Sequence, residues 1–350
     1  MAVPEISAIV VNYRRPDILG ACLRSLETAL GETGEETEIV VVDNASGDES
    51  CDLVRRVVPR AQLLEMPENL GFPTAVSRGI QASTGTWVLL INNDVKVEPD
   101  AVVHMLAAAR SRPWIGSVAA QMRFANDPGT INSAGIGVDR LGIAFDRLLG
   151  EPLAASETEP TEVFGACGGA ALYRREMLDE IGGFDESYFF ALDDADVSWR
   201  AQMKGWSCVY APAAVVMHHH GATIGHGSSL KYFHVGLNRV RTLAKNADSG
   251  QLLRHGPAMI GYDVAYVAYA ALTDRTLAPL RGRLKGMREW RSYRRAGAPT
   301  RGPVELAPTR GLRAALGRRS AWQGVSSALH SNGGAPERVS VQRPEGGSAQ

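Results

Sequence analysis

Residues 87–94 read WVLLINND, an apolar run that ends in two amides and a carboxylate. Five large apolar side chains in succession are typical of a strand that is covered on both faces. Two earlier runs, Ile6–Tyr13 and Thr37–Asp43, have the same character, and a helical stretch that begins at Pro16 lies between them. Strands that alternate with helices of this length pair in parallel within a sheet covered by helices. The sequence therefore predicts an α/β fold with a mainly parallel sheet.

Further strands and helices are predicted around this run. Proline is tolerated in the first turn of a helix, so helices are predicted to begin near Pro73 and Pro99. Apolar runs predict the remaining strands, at Ala61–Met66, Ser117–Met122 and Val163–Tyr173, the last of which is interrupted by Gly165, Gly168 and Gly169. Helical spacing predicts later helices at Arg175–Ile181, Asp194–Lys204 and Ser229–Ala247. The second half is thus less regular than the first, with a glycine-rich section up to Gly150.

The composition is that of a globular protein. Of the 350 residues, 45% are apolar and 21% are charged, which is ordinary for a soluble domain. The four cysteines are scattered and form no CxxC pair, which predicts reduced thiols. The first residues, Met1–Ser7, have neither the basic nor the apolar region of a signal peptide. We therefore expect a protein that stays in the cytoplasm.

Polar clusters follow the predicted strands, at the position where ligands bind in open parallel sheets. The first cluster is Asp43-Asn44-Ala45-Ser46-Gly47-Asp48, at the end of the second strand. A carboxylate at a strand end can accept hydrogen bonds from a nucleobase or a ribose. Alternatively, Asn44, Ser46 and Asp48 cap the backbone of a strand-to-helix turn. The residues alone leave both interpretations open.

The second cluster is Asn92-Asn93-Asp94, at the end of the run 87–94. Amide and acidic side chains at the end of a buried strand are unfavourable unless something binds them. Mg²⁺ and Mn²⁺ take hard oxygen ligands and bridge them to phosphate oxygens. Asp94 is therefore the predicted protein ligand of a divalent cation, with Asn92 on the same face of the chain. A turn cap is the alternative.

The third cluster is Asp193-Asp194-Ala195-Asp196, which follows Tyr188-Phe189-Phe190 and opens a predicted helix. Adjacent carboxylates repel each other, so three within four residues indicate a cation or a reaction at this position. A helix N-terminus also favours acids, which accounts for one or two of them without any function. After the apolar run Ala213–Met217 comes His218-His219-His220, of which one or at most two imidazoles can ligate a metal.

Taken in order, these clusters resemble the family 2 glycosyltransferases, especially their bacterial rhamnosyltransferase-like and galactofuranosyltransferase-like branches. The resemblance covers about Ile6–Ala247. It rests on five motifs, which are Asp43-Asn44-x-Ser46-x-Asp48, Asn69-Leu70-Gly71-Phe72, Asn92-Asn93-Asp94, Gly182-Gly183-Phe184-Asp185-Glu186 with Asp193-Asp194-x-Asp196, and His218. It implies a GT-A fold, in which a Rossmann-like nucleotide-binding half and an acceptor-binding half share one mixed, mainly parallel sheet flanked by helices.

The resemblance also implies which residues bind metal and which act as the base. Asn92 and Asp94 stand at the first and third positions of the family's metal motif. Because the first position is Asn here instead of the usual Asp, Asp94 carries most of the metal binding, with His218 as a further ligand. Asp194, with Asp193 beside it, corresponds to the catalytic base.

Other motif residues correspond to the donor site of the family. By position, Asp43 corresponds to the residue that contacts the base or ribose of the donor nucleotide. Asn69 and Asn93 belong to the same site, and Arg78 approaches the diphosphate. This sequence has Ser77 where the family often has Asn, which is a departure within that part of the site.

The activity implied is an inverting transfer of a sugar, rhamnose first, in cell-envelope polysaccharide synthesis. The donor is a dTDP- or UDP-linked sugar, the acceptor a hydroxyl of a glycan or polyprenyl-linked glycan, and the cofactor Mg²⁺ or Mn²⁺. A sugar nucleotidyltransferase and a non-catalytic glycan-binding relative are the alternatives. A nicotinamide dehydrogenase fits poorly, because the first strand ends in Asn12-Tyr13-Arg14-Arg15 without a GxGxxG loop. No nucleic-acid partner is expected, since few aromatic residues interrupt the basic C-terminal region.

The C-terminal third has a different character. Between Arg281 and Arg319 the chain carries twelve Arg or Lys and two acids, a net charge of +10 in a chain whose total is −1. Met259–Leu272 is apolar apart from Asp263 but shorter than the ~20 residues of a bilayer span. Among the arginines that follow, apolar residues recur at helical spacing at Leu277, Leu280, Leu284, Met287 and Trp290.

This pattern predicts either an amphipathic helix on an anionic membrane surface, at its cytoplasmic face, or a helical pair packed on the catalytic domain. Gly282 and Gly286 weaken the first interpretation. We predict a catalytic domain at residues 1–248, a C-terminal helical extension at 249–295 and a disordered tail at 296–350, which is rich in Pro, Gly, Ser and Arg.

Overall fold

The computed structural model describes residues 4–219, 228–296 and 304–310. Its strands are β1 (Ile6–Asn12), β2 (Thr37–Asp43), β3 (Gln62–Glu65), β4 (Trp87–Asn92), β5 (Val95–Val97), β6 (Ile115–Phe124), β7 (Asp127–Ser133), β8 (Ile136–Val138), β9 (Ala144–Asp146), β10 (Thr161–Val163), β11 (Ala170–Arg174) and β12 (Ser207–His218). Its helices are α1 (Pro16–Gly31), α2 (Ser50–Val57), α3 (Phe72–Gln81), α4 (Ala101–Arg110), α5 (Arg175–Ile181), α6 (Asp193–Met203), α7 (Ser229–Asn246), α8 (Ser249–Thr273) and α9 (Ala278–Ala296).

The central sheet has the order β10-β12-β6-β11-β4-β1-β2-β3. Strands β4, β1, β2 and β3 run parallel to one another, so their carboxyl ends meet at one edge of the sheet. Strand β11 lies antiparallel between β4 and β6, while β12 runs parallel to β6. The predicted α/β fold, a mixed sheet flanked by helices, is confirmed. The parallel part carries the N-terminal clusters.

Both faces of the sheet are covered, as the apolar runs predict. In β1, Ile6, Ala8 and Val10 point into one buried cluster, whereas Ile9 and Val11 point into another. Helices α1, α2 and α4 cover the first face, and α3, α5 and α6 cover the second. Every apolar residue of the strand lies in one core or the other, which is why the strand has no solvent-exposed face.

The predicted strand Val163–Tyr173 is wrong as a single element. It forms two strands with different neighbours: β10 pairs with β12, and β11 pairs with β4 and β6. The glycines between them lie against other elements, since a Cβ at Gly165 would fall 2.0 Å from Ser198 Oγ. Helix α2 and strand β5 were not predicted, because their eight and three residues are too short to show a clear period.

The C-terminal helical extension is present, and its last helix packs along α7. A Cβ at Gly282 would lie 2.1 Å from the Phe233 carbonyl oxygen, and one at Gly286 would lie 2.7 Å from Val240 Cβ. The two glycines therefore allow a close helix–helix contact, which is the packing that the second interpretation of this segment predicts. Trp290 also packs inward, whereas Leu284 and the other apolar residues of the predicted stripe remain exposed.

Helix α8 contains the apolar stretch Met259–Leu272. No helix among residues 4–219, 228–296 and 304–310 has the length and hydropathy needed to cross a bilayer. Beyond α9, Ala307 pairs with Asp139 next to β8. Backbone contacts group the chain into one unit that ends at Thr309 and a second that begins at Arg310. The rest of the predicted tail lies outside the described residues, and the boundaries at 248 and 295 stay predictions.

Candidate active site

His218 and Asp94 come together although 124 positions separate them. Strand β12 pairs antiparallel with β5, and His218 stands opposite Val95, the residue after Asp94. The His218 Nε2 atom lies 3.2 Å from Asp94 Oδ1, and its Nδ1 atom lies 2.7 Å from Asn132 Oδ1. His219 is exposed and only its backbone N–H reaches the Asp94 carbonyl oxygen, at 2.9 Å. Of the two, His218 is therefore the imidazole next to Asp94, while His220 lies outside the described residues.

The side chains at this point fit a divalent cation. Asn92 Oδ1 and Asp94 Oδ1 are both buried and form no hydrogen bond within the described part of the chain. Buried oxygens without donors are costly, and they are the ligands that Mg²⁺ and Mn²⁺ prefer. The described residues contain no cluster of three or more His, Cys, Asp or Glu suited to a metal. The protein could thus supply Asp94, His218 and the Asn92 amide, with the remaining positions open to water and phosphate oxygens.

Asp194 lies beside the same strand end. It belongs to the first turn of α6, where its Oδ2 accepts a hydrogen bond from the Gly168 N–H at 3.3 Å and its Oδ1 accepts one from Ala195 N–H at 2.8 Å. The adjacent Gly169 carbonyl accepts the N–H of Asn92 at 2.9 Å. Because two consecutive glycines contact Asp194 and Asn92, the structure brings the third cluster next to the second. These two glycines lie in the connection between β10 and β11.

Burial raises the pKa of both acids of the pair. The pKa of Asp193 rises to about 8, first because its carboxyl is buried and then because of the neighbouring Asp194 charge. The pKa of Asp194 rises to about 6, first because of burial and then because of the Asp146 charge. A carboxylate with a raised pKa is a better proton acceptor than an exposed one. Asp146, on β9, was not predicted, since neither its spacing nor its neighbours mark it in the sequence.

Asp196, the third acid of the cluster, has a structural environment. It is fully buried, accepts hydrogen bonds from Arg200 Nε at 2.8 Å and Asn246 Nδ2 at 2.9 Å, and lies 3.0 Å from Lys245 Nζ. Burial opposes its ionisation, but the two cations outweigh that effect and lower its pKa. One of the three carboxylates is therefore explained by ion pairing within the core.

The first cluster forms a network of hydrogen bonds at the end of β2. Asp43 accepts from Asn12 Nδ2 at 2.9 Å and from the Ser46 N–H at 2.9 Å. Asn44 donates to Asn69 Oδ1 at 3.0 Å and accepts from the Leu70 N–H at 3.1 Å. The turn-capping interpretation thus describes real contacts. They also hold Asp43 and Asn69 in fixed positions at the sheet edge, and a role in donor binding stays a prediction for both.

Two other predicted donor-site residues have partners within the protein. Asn93 is buried and donates from Nδ2 to Asn12 Oδ1 at 2.8 Å, which ties the ends of β4 and β1 together. The Arg78 side chain is 42% exposed, 3.6 Å from Glu186 and hydrogen-bonded to Gln81. The exposed Arg78 side chain has N–H donors available to a donor nucleotide, whereas Asn93, whose Nδ2 is already bonded, would contact the nucleotide through its Oδ1 atom. Both assignments stay predictions.

A strained turn leads into the pair of acids. Ala191 and Leu192 have φ values of 70° and 65°, in a region that residues with a Cβ rarely adopt. Asn238, fully buried on α7, donates to the carbonyl oxygens of Phe190 and Ala191, both at 2.9 Å. Helix α7 thus holds the turn that orients Asp193. Asn238 was not predicted, because nothing in the local sequence of a helix shows which distant carbonyl it reaches.

The same loop contacts the donor side of the sheet edge. The Phe72 N–H donates to the Phe189 carbonyl at 2.8 Å, and a Cβ at Gly71 would lie 2.4 Å from that oxygen. Gly71 has φ 87°, so the position requires glycine for both conformation and space. Through Asn69, Gly71 and Phe189, the first cluster is connected to the loop that precedes Asp193.

A hollow in the described part of the chain lies away from these residues. It has a volume of about 730 Å³ and lies between the start of α8 and residues 304–306, with Arg140, Gln251 and His255 among its walls. It contains none of the predicted site residues. The candidate active site is defined by its carboxylates and by the buried oxygens of Asn92 and Asp94 at the end of β4.

The chain is similar to known glycosyltransferases. Residues 7–182 match the family model described as Glycosyl transferase family 2. The N-acetylglucosaminyl-diphospho-decaprenol L-rhamnosyltransferase of Mycobacterium tuberculosis is 28% identical over 242 residues, which cover 63% of this chain and 78% of that protein.

Two solved structures have a similar fold. The crystal structure of GalNAc-T7 with UDP, GalNAc and Mn²⁺ has a TM-score of 0.58 at 16% identity, and covers 83% of this chain and 58% of that one. The mannosyltransferase PcManGT of Pyrobaculum calidifontis, in complex with GDP-Man and Mn²⁺, has a TM-score of 0.51 at 18% identity, and covers 94% of this chain and 83% of that one.

Proposed function

This chain belongs to the family 2 glycosyltransferases and is an enzyme of that class, and we propose that it transfers a sugar from a nucleoside-diphosphate donor to a hydroxyl of a lipid-linked glycan, with inversion. The observation that carries this proposal is the meeting of Asn92 and Asp194 at Gly168–Gly169, with Asp94 and His218 beside them. A possible cation site and a basic carboxylate thus border the same strand end, which suits a donor diphosphate and an acceptor hydroxyl side by side.

The chemistry is a single displacement. Asp194 accepts the proton of the acceptor hydroxyl while that oxygen forms a bond to the anomeric carbon. The bond between the anomeric carbon and the diphosphate oxygen breaks on the opposite face, and the electron pair leaves with the nucleoside diphosphate. A bound Mg²⁺ or Mn²⁺, held by Asp94 and His218, would neutralise charge on that leaving group. The raised pKa of Asp194 supports its role as the base.

The remaining predicted residues would bind the donor. Asp43 and Asn69 would contact the base or ribose, with Asn92 and Asn93 closer to the cation. Arg78, whose exposed guanidinium lies on α3, would approach the diphosphate. The fixed hydrogen-bond network around Asp43 supports this, because a rigid site loses little entropy when the nucleotide binds.

The finer identity of the substrates is part of the same proposal. The name of the mycobacterial relative describes transfer of L-rhamnose to N-acetylglucosaminyl-diphospho-decaprenol. We propose rhamnose from a dTDP-linked donor, with a UDP-linked sugar as the second choice, and a polyprenyl-linked acceptor in cell-envelope polysaccharide synthesis. The enzyme would then work at the cytoplasmic face of an anionic membrane, with its catalytic domain at residues 1–248.

The test measures product release with purified full-length protein. The protein is incubated with dTDP-rhamnose or UDP-sugars, Mn²⁺ and a polyprenyl-diphosphate-linked N-acetylglucosamine. We expect release of nucleoside diphosphate and a glycosylated lipid. Release of pyrophosphate from a nucleoside triphosphate and a sugar phosphate would instead indicate a sugar nucleotidyltransferase. Binding of the glycan without turnover of any donor would indicate a non-catalytic relative.

The Asp194→Asn variant tests the base. General-base catalysis is typically worth ~10²–10⁴ in rate, so turnover should fall by that order while the melting temperature is retained. Asp179→Asn, at an exposed acid on α5, is the matched control and should keep native turnover. If Asp194→Asn retains native turnover and Asp193→Asn does not, the base is Asp193.

A further inference from the structure

Helix α8 presents a continuous apolar stripe to solvent. Six exposed residues recur at spacings of three and four and carry no charge, namely Leu253, Pro257, Ile260, Val264, Ala268 and Leu272. Leu253 and Leu272 are 85% and 83% exposed. At 1.5 Å per residue the stripe is about 29 Å long. We call these six residues the α8 stripe. Single exposed apolar residues are ordinary, but a stripe of this length indicates a contact surface.

The opposite side of α8 is firmly held, so the stripe has a fixed orientation. Asp263 accepts hydrogen bonds from Arg239 on α7 at 2.7 Å and from Arg283 on α9 at 2.8 Å. Met259 and Ala270 are buried on that side. The helix is therefore anchored by charged and apolar contacts that leave the α8 stripe facing outward. Rotation of the helix to bury the stripe would break the contacts of Asp263.

The charges around the stripe are of one sign. The exposed charged residues of α8, α9 and their connection are all basic, and they are Arg254, Arg275, Arg281, Lys285, Arg288 and Arg291. The three acids of the same segment are bonded internally: Asp263 as above, Asp274 to Tyr232 and Glu289 to Arg241. Exposed Leu284 and Met287 of α9 lie among these cations. The surface thus combines apolar and cationic groups and, over residues 249–294, offers no exposed carboxylate.

We propose that α8 and α9 dock on the surface of an anionic lipid bilayer, with the α8 stripe in the interfacial layer and the surrounding cations against the headgroups. A helix that is apolar on one side and held by charges on the other lies on a membrane instead of crossing it. An anionic surface complements exposed cations next to an apolar stripe, and the exposed charges of this segment are of that one sign. A second copy of the chain, packed stripe to stripe, would bring two sets of like charges together.

The biological purpose of this docking, which is to bring the active site to a lipid-linked acceptor, rests on the proposed function. The physical support for docking comes only from the exposed residues of α8 and α9. The cations attract the protein to anionic lipid, and the stripe retains it there by burying apolar area. Binding should therefore need both components. Loss of the stripe or of the cations should weaken membrane binding. The candidate active site should not change, because its residues lie on other elements.

The experiment is co-flotation of the full chain with vesicles of phosphatidylcholine, with and without 30% phosphatidylglycerol (about the anionic content that gives a strong surface potential). We expect flotation with the anionic vesicles and at least about tenfold weaker binding to phosphatidylcholine alone or at high salt. The double variant Ile260→Asp with Val264→Asp should lose about tenfold or more in apparent affinity. The control carries two aspartates on exposed apolar residues of another surface, Val103→Asp with Trp114→Asp, and should float like the native chain.

A second variant keeps the test decisive if the first one folds poorly. Arg281→Glu with Lys285→Glu and Arg288→Glu changes only exposed cations and should also abolish the preference for anionic lipid. Native flotation by either folded variant would overturn the proposal. A native chain that ignores vesicles and forms dimers, which Ile260→Asp with Val264→Asp dissociates, would overturn it in favour of a second copy.

The result is separable from that of the proposed function. Transfer to a short, water-soluble acceptor should be the same in native and stripe variants, because the variants do not alter the site. Flotation without sugar transfer would leave the docking surface standing and refute the function. Sugar transfer without flotation would support the proposed function and refute the docking surface.

Discussion

The Nε2 atom of His218 lies 3.2 Å from Oδ1 of Asp94 without an aligned hydrogen bond between them. The other ring nitrogen, Nδ1, lies 2.7 Å from the amide oxygen of Asn132, which can only accept a hydrogen bond, so Nδ1 is the donor. With the proton on Nδ1, the lone pair of Nε2 and a carboxylate oxygen face the same point. A cation bound here would contact both groups, since an imidazole nitrogen and a carboxylate oxygen are ordinary metal ligands.

The first prediction concerns the cation. Mn²⁺ with a nucleoside diphosphate should raise the melting temperature of the native protein, since a ligand at a hundred times its Kd stabilises by about 2.7 kcal/mol. Asp94→Asn and His218→Ala should each remove most of the Mn²⁺-dependent part of this shift. The control is His219→Ala, which changes the exposed neighbour. If His219→Ala abolishes the shift and His218→Ala does not, the ligand has been assigned to the wrong histidine.

The second prediction concerns pH. Asp194 must be deprotonated to accept a proton, and its pKa is raised to about 6 by burial and by the Asp146 charge. The value of kcat/KM should therefore fall as pH decreases through about 6. Asp146→Asn removes a negative neighbour, which lowers the pKa of Asp194 and should extend activity to lower pH. An unchanged profile in Asp146→Asn, with Asp127→Asn as the exposed control, would contradict the role of Asp146.

The third prediction concerns stability. Asp196 forms buried ion pairs with Arg200 and Lys245, at 2.8 and 3.0 Å. Removing one partner of a buried pair typically costs about 3–5 kcal/mol, so Asp196→Asn should lower the free energy of unfolding by that order. Because the folded state lowers the pKa of Asp196, its contribution is present above the unfolded pKa and is lost as pH falls through the folded pKa.

The measurement is urea unfolding of native and Asp196→Asn protein at pH 7 and at pH 3. The difference between the two proteins should shrink at the lower pH. Asp179→Asn is again the exposed control. A small difference at pH 7 would mean that the ion pairs contribute little net stability.

The fourth prediction concerns Asn238 as a positioning residue. It donates two hydrogen bonds, each 2.9 Å long, to the turn before Asp193. Asn238→Ala leaves two carbonyls without these donors and should lower the free energy of unfolding by about 1–3 kcal/mol. It should also lower kcat more than it changes KM for the donor, because the turn orients Asp193 and Asp194 while the donor contacts lie on other strands. A general loss of folded protein would also lower the apparent kcat without changing KM, so kcat is expressed per folded enzyme. Thr242→Val, on the same face of α7, is the control and should then keep native kcat, whereas native kcat in Asn238→Ala would contradict the positioning role.

Much of the architecture followed from local pattern. The apolar part of the run 87–94 forms β4, Trp87–Asn92, and the run Thr37–Asp43 identified β2 to the residue. Apolar side chains that alternate into two cores leave a signal in the longer central strands, so the α/β class was predictable, and both the class and the family are confirmed. The start of α6 was predictable within one residue because its first turn is acidic.

The separation of Val163–Tyr173 into β10 and β11 was not predictable, since both halves are apolar and only their partners differ. The same holds for Gly282 and Gly286, which disfavour a free amphipathic helix but allow α9 to approach α7. Local pattern reports how buried a side chain is. It does not report which distant element buries it.

The sequence by itself determined that acids and amides stand at strand ends, because a strand is recognisable from its own residues and the turn after it from its polar side chains. Only the tertiary structure decided that Asp196 pairs with Lys245 while Asp194 lies beside Asn92, and that His218 instead of His219 adjoins Asp94. Those choices depend on strand order and register across the sheet. A difference of one residue in register turns a side chain to the opposite face, and no local pattern encodes which register the partner strand imposes.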